Sequence, residues 1–209
     1  YLNEARRWGI RILPISINES GIKYWGKHNW IRPGLMHIRA LSTAGQERII
    51  QERKSGGSFR NLEDFIRRVD VRRDEVEKLI IVGAFDGFGL AQPESLYLLD
   101  GIYGRRSHEP TLFQESVHRQ ELHPGLDDYT LTQRCLNELH LLGFMLSGNI
   151  LEILDLHPAS KNVVSANRLH EHVGKPIKVF GWPVTERVHT VTESGKPMFF
   201  LTLEDKTGV

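Results

Sequence analysis

Cysteine is nearly absent: Cys135 is the only one among 209 residues. A lone thiol excludes a disulfide framework and a thiolate metal cage, and it fits a reducing cytoplasm. No apolar run reaches the roughly 18 residues that a membrane span needs, and no charged-then-apolar leader opens the chain. Tyr1 is not an initiator Met and Val209 follows a strand-like run, so both ends read as cuts in a longer protein. A surplus of one charge is also missing, with 27 Lys+Arg against 26 Asp+Glu. That balance hides an asymmetry. Residues 1–73 carry 15 Lys+Arg against 7 Asp+Glu, whereas residues 74–209 carry 12 against 19. A basic front half attracts a polyanion whatever the total charge, although a solvated basic face has the same composition.

Catalytic patterns are sparse. Asp127-Asp128 and Glu204-Asp205 are the paired acids that metal-assisted phosphoryl transfer uses, but both sit in turn contexts where Asp is ordinary. His170 and His172 would share one side of an extended segment as metal ligands, yet no third ligand accompanies them. Ser147-Gly148-Asn149 lacks the flanks of a nucleophile elbow.

Periodicity organises what remains. A helix is expected over Tyr1–Trp8 and a strand over Ile10–Ile15, then an irregular or edge-strand stretch over 21–34 with its Gly, Pro and Trp residues. Thr43 is placed to cap a helix that stops at Gly56-Gly57. Asn61 caps the next, where Leu62, Phe65, Ile66 and Val69 recur at helical spacing. A third helix buries Val76, Leu79 and Ile80 and halts at Gly83. A fourth starts near Pro93, with Leu96, Leu99 and Tyr103 on one face. Residues 104–128 are polar and punctuated by Pro110 and Pro124, as a linker would be. A fifth helix, about Thr130–Leu146, shows Leu131, Cys135, Leu142 and Leu146 on one side. The period then shortens to two, with strands expected from Ile177 past Pro183 to Thr192 and over Met198–Leu203.

The helix, glycine turn and helix at 73–103 are the most informative local pattern. In a helix-hairpin-helix, a Gly-rich turn exposes backbone N–H groups at the second helix's start, which hold a DNA phosphate without reading bases. Gly83, Gly87 and Gly89 would supply that turn, with Ala84 and Phe85 between them. An ordinary helix pair with a capping glycine has the same signature. Arg39, Arg48, Arg53, Lys54, Arg72 and Arg73 are the candidate phosphate contacts.

Several segments, in order, resemble the alpha subunit of bacterial DNA polymerase III. Tyr1–Pro14 with Ile17–Ser20 is similar to the end of that family's fingers, and Ile31–Leu35 with Ile38-Arg39 to the lead into its first hairpin. Ser58–Phe65 and Leu79–Asp86 resemble the connecting helix and second hairpin, Leu142–Gly148 the helix before the OB-fold, and Lys196–Gly208 that fold's early hairpin. The resemblance implies an α+β fragment: a mainly helical tandem helix-hairpin-helix domain followed by a truncated OB-fold. Its parts would be the end of the fingers (1–30), the hairpins (31–103), the linker (104–128), a helical connection (129–173) and the start of the OB-fold (174–209).

The same resemblance implies a role. The family's catalytic carboxylates and their Mg2+ lie in a palm upstream, so this segment would be inactive, need no cofactor, and grip duplex DNA behind the site of nucleotide transfer. Its OB-fold would handle single-stranded template. In the linker, Glu109, Thr111, Leu112 and Phe113 resemble a sliding-clamp-binding peptide with Glu in the usual Gln position, which leaves a second reading open: a replisome interaction module with little DNA contact. Two departures stand out. Ala40-Leu41-Ser42 occupies the place of Gly-hydrophobic-Gly in the first hairpin, which argues against close phosphate approach there; error-prone paralogues of the family can also lack one of these glycines. The OB hairpin tip has Glu193-Ser194, leaving Lys196 as its nearest cation.

Overall fold

The computed structural model describes residues 2–106, 125–153, 162–190, 197–205 and 207–208. They fall into two compact units, residues 11–147 and residues 1–10 with 148–209. The fold is mixed α+β, mainly helical with small sheets. No helix among the described residues is long and apolar enough to cross a membrane.

In the larger unit each helix begins at a side-chain cap or a reaching carboxylate. Helix α2 (Thr43–Gly56) is capped by Ser42, whose Oγ accepts the Gly45 N–H at 3.0 Å. The cap is thus one residue earlier than the expected Thr43, because Ser42 holds the extended backbone that a cap requires. The helix ends before Gly57, where φ is +74°. Asn61 caps α3 (Leu62–Arg68) through the Asp64 N–H at 2.8 Å. Helices α4 (Arg73–Ile81), α5 (Gln92–Arg106) and α6 (Leu131–Leu142) follow. Helix α6 stops four residues short of the expected Leu146, because Gly143 takes the left-handed conformation that closes a helix. Leu131, expected in the core, is instead exposed in its first turn.

The core centres on Phe65, which is fully buried beside Phe59 and Phe85, with ring centroids 5.0 and 5.1 Å away in edge-to-face contact. Val76, Leu79 and Ile80 of α4 and Leu99 of α5 join it, as their spacing predicts. The expected strand over Ile10–Ile15 is cut to β1 (Arg11–Ile12), and Ile15 and Ile17 enter the core instead. Residues 21–34 hold a hairpin of β2 (Trp25–Lys27) and β3 (Trp30–Arg32), and β3 also pairs in parallel with β1.

The smaller unit contains α1 (Leu2–Arg7), α7 (Ile150–Ile153), a 3-10 turn (Ala166–His172) and an antiparallel ribbon of β4 (Trp182–Thr190) and β5 (Pro197–Glu204). Arg7 ion-pairs with Glu4 and Glu204. Strand β4 begins at Trp182 rather than Ile177, and Lys178 makes only an isolated bridge to Val163. Every residue of β4 is exposed, so the ribbon lacks a buried face of its own.

Candidate nucleic-acid interface

Helix α4 runs into one chain reversal, and its Glu75 reaches back to another, the one that leads into α2. At the α4 C-terminus the Gly83 N–H bonds the Ile80 carbonyl and the Ala84 N–H bonds the Leu79 carbonyl, both at 2.9 Å, with Gly83 at φ +77°. This is a Schellman closure, and it consumes two of the expected phosphate donors. Gly83, Ala84 and Phe85 are all buried. Phe85 packs edge-on against Phe65 and belongs to the core. The Gly89 N–H is taken as well, by the Asp86 carbonyl.

What the second hairpin leaves open is narrower. Gly87 is exposed and Leu90 half-buried, and no hydrogen bond among the described residues takes either N–H. The following helix start is already occupied by carboxylates. Glu94 accepts the Ala91 N–H and Asp128 accepts the Gln92 N–H at 3.3 Å. Asp128 also pairs with Arg134, whose other nitrogen reaches Asp86 at 2.7 Å. Burial pushes the Asp128 carboxyl up, but the Arg134 guanidinium and the N–H groups of Tyr129 and Gln92 outweigh it and hold the group low.

The first hairpin, which leads into α2, closes although it lacks the glycines. Ala40 adopts φ +67°, the left-handed conformation glycine favours, and the Leu41 N–H closes the turn onto the Ile38 carbonyl. The chain thus keeps the geometry without the glycine. Ala40, Thr43 and Ala44 are exposed, and no hydrogen bond among the described residues takes their N–H groups. They stand at the start of the 14-residue α2, where the helix dipole is positive. Glu75 fixes this hairpin from within the fold, accepting the Ser42 N–H at 2.8 Å and the Arg72 N–H at 3.0 Å. Burial raises the Glu75 carboxyl, but donors from Ser42 and Arg72 hold it below the usual carboxylate range.

The candidate cations divide by what they touch. Arg53 is turned inward, donating to the Ile17 carbonyl at 2.8 Å and the Ser20 carbonyl at 2.9 Å. Burial lowers its pKa. Arg48 donates to the Asp70 carbonyl at 2.6 Å, Arg73 pairs with Asp100, and Arg39 reaches the His140 carbonyl at 2.9 Å. Arg72 is largely exposed beside Asp74 and Glu75. Lys54 is exposed with no side-chain partner among the described residues. Arg39 and Arg72 therefore flank the first hairpin, which Arg72 shares with Ser42 through Glu75. Lys196 and the Glu109, Thr111, Leu112 and Phe113 peptide lie outside the described residues.

The weak catalytic candidates have structural tasks. Asp205 accepts the Ala166 N–H at 2.7 Å and the Thr207 and Gly208 N–H groups. His170 and His172 sit on the 3-10 turn rather than on an extended segment, so a two-residue spacing does not align them. Ser147 donates its hydroxyl to Glu138 at 2.5 Å. Glu75 and Arg134 escaped the sequence reading, which weighed Asp128 only as one of a pair of acids. Only Glu75 had a signal, its place three residues after a helix cap, and that was masked by Arg72 standing where Ser or Thr is usual.

One reversal leads into α2 and another follows α4, and residues 9–94 match the family model for the helix-hairpin-helix motif. Proteins that match nearly the whole chain include DNA polymerase III alpha subunits and error-prone DNA polymerases, as the sequence resemblance implied. It is 32% identical to DNA polymerase III subunit alpha of Thermus aquaticus, over 100% of this chain and 18% of that protein. It is 30% identical to the Staphylococcus aureus DNA polymerase III subunit alpha, over 98% of this chain and 19% of that protein. An error-prone DNA polymerase of Symbiobacterium thermophilum is 27% identical, over 99% of this chain and 23% of that protein. The chain spans about a fifth of the length of these relatives.

Proposed function

We propose that the hairpin region grips duplex DNA without reading its sequence, as a non-catalytic part of a polymerase in replication or translesion synthesis. The observation that carries this reading is the first hairpin: Ala40 held left-handed, with exposed and untaken N–H groups at Ala40, Thr43 and Ala44. Backbone donors at a helix start bind a phosphate oxygen and carry no base information. Gly87 and Leu90 offer a second, smaller donor set in the reversal that follows α4. Arg39 and Arg72 add positive charge beside the first hairpin, and Lys54 adds an exposed cation in the last turn of α2. The grip is thus weighted towards the first hairpin, the reverse of the weighting the glycine pattern favours.

In this reading nucleotide transfer and its Mg2+ belong to other parts of the polymerase, and the β4–β5 ribbon is the opening of an OB-fold. Docking to a sliding clamp through Glu109–Phe113 is the rival reading. Duplex affinity measured against salt separates the two. A grip loses affinity steeply as salt rises, whereas weak, salt-insensitive duplex binding alongside tight clamp binding supports the rival.

A further inference from the structure

The three-stranded sheet displays Trp30 between two cations, with a second tryptophan, Trp25, beside it. Antiparallel register sets Trp25 opposite Arg32 and Lys27 opposite Trp30, and parallel register sets Arg11 beside Trp30. Paired residues in a sheet point to the same face. Arg11, Trp30, Trp25, Lys27 and Arg32 therefore share one face, and Ile12, Ile31 and Gly26 the other. The Trp25 and Trp30 rings lie 4.7 Å apart, and Trp25 is 55% exposed. A tryptophan left in water forgoes the largest burial gain any side chain offers.

Two of the three cations on this face are unspent. Arg32 is tied to Glu19 and to the Pro14 carbonyl. Arg11 and Lys27 are exposed, as is Lys23 just before β2, and none has a side-chain hydrogen bond or ion pair among the described residues. The one carboxylate tied to this face, Glu19, already faces Arg32.

We propose that this face is a stacking platform for single-stranded DNA, with a base on the open side of Trp25 and the flanking phosphates on Arg11 and Lys27. Free cations on either side call for a polyanion, and an exposed indole calls for a ligand with open π-faces, which a closed duplex does not present. Base–aromatic stacking combined with a cationic track is the general mode of single-strand binding. The choice of DNA over RNA rests on the polymerase reading above; the site itself is separate from both hairpins.

The test uses the full chain and two labelled probes, a 16-nucleotide oligo-dT and a blunt duplex hairpin, read by anisotropy at fixed salt. Trp25→Ala is expected to weaken single-strand binding by about 5- to 150-fold, the range for removing one stacking aromatic, with Trp25→Phe restoring most of it. Arg11→Glu with Lys27→Glu should weaken it similarly. Circular dichroism and melting temperature check that each variant stays folded, as expected for exposed positions. Duplex affinity should change less than twofold in Trp25→Ala, whereas Ala44→Glu should do the opposite, so failure of the hairpin reading and failure of this one are distinguishable. Unchanged oligo-dT affinity in Trp25→Ala, or no measurable oligo-dT binding by the unaltered chain, overturns the proposal.

Discussion

Glu75 accepts the backbone N–H of Ser42 at 2.8 Å, so a carboxylate on one helix sets the conformation of the reversal that begins another. Glu75 is 2% exposed and also caps its own helix through the Arg72 N–H. A single side chain therefore couples the start of α2 to the start of α4. Burying a carboxylate is tolerated only where donors satisfy it, and here one of the donors, the Ser42 N–H, belongs to the hairpin proposed to meet DNA.

Acid should loosen that coupling. The folded-state Glu75 carboxyl lies below its unfolded value, so its stabilisation is complete above roughly pH 4.3 and lost as pH falls through the folded value. Glu75→Gln should cost about 1.5–3 kcal/mol at pH 7 and flatten the acid limb of the stability profile. Urea unfolding at pH 7 and between pH 3 and 5 measures both. A variant as stable as the parent at pH 7 would mean that the bridge does not hold the hairpin.

Ala40 carries a left-handed backbone that costs a non-glycine residue about 1–2 kcal/mol. Glycine relieves this but loses about 0.5–1 kcal/mol of chain entropy. Ala40→Gly should thus be neutral to stabilising, by up to about 1 kcal/mol, and Ala40→Val destabilising. Thermal unfolding of both variants decides the sign, and a clear loss in Ala40→Gly would contradict the left-handed geometry.

Arg53 and Lys54 are sequence neighbours with opposite expected phenotypes. Arg53→Ala strips two hydrogen bonds from a charged donor to the Ile17 and Ser20 carbonyls and should cost about 2–3 kcal/mol of stability, with duplex affinity within twofold while folded. Lys54→Ala should leave stability within about 0.5 kcal/mol but reduce the salt slope of duplex binding by about 0.9 if Lys54 meets one phosphate. Denaturation and binding on both variants test the division, and a reversed pattern would place Arg53 in the interface.

The core was largely legible in the sequence, because Leu62, Phe65, Ile66, Val69, Val76, Leu79 and Ile80 recur at a helical period and all are buried. Asn61 and Gly57 marked their helix boundaries for local reasons that need no tertiary context. Leu131 and the end of α6 misled, since Gly143 overrides an apolar pattern that runs on to Leu146. The candidate interface was less legible. Glycines at 83 and 89 signal a turn but not whose N–H groups remain free, and the closure of α4 spends those of Gly83 and Ala84. Ala40 hid a left-handed position because nothing in its side chain announces one. Arg53 could not be told from Lys54, since the inward carbonyls of Ile17 and Ser20 lie more than thirty residues away in sequence.

The proposed grip is tested most directly by duplex affinity as a function of salt, in the parent chain and in two glutamate variants at the open donors. A side chain at Gly87 meets nothing within 4 Å, and a carboxylate at Ala44 in the first turn of α2 complements the helix dipole, worth about 0.3–1 kcal/mol in favour of folding. Both variants should therefore fold as well as the parent or better. About four neutralised phosphates would give a log–log slope of about −3 to −4 for the parent. Ala44→Glu should weaken duplex binding by about tenfold or more and make the slope shallower, and Gly87→Glu should do so to a lesser degree. Parent-like affinity and slope in Ala44→Glu and Gly87→Glu alike would contradict a phosphate grip at these hairpins.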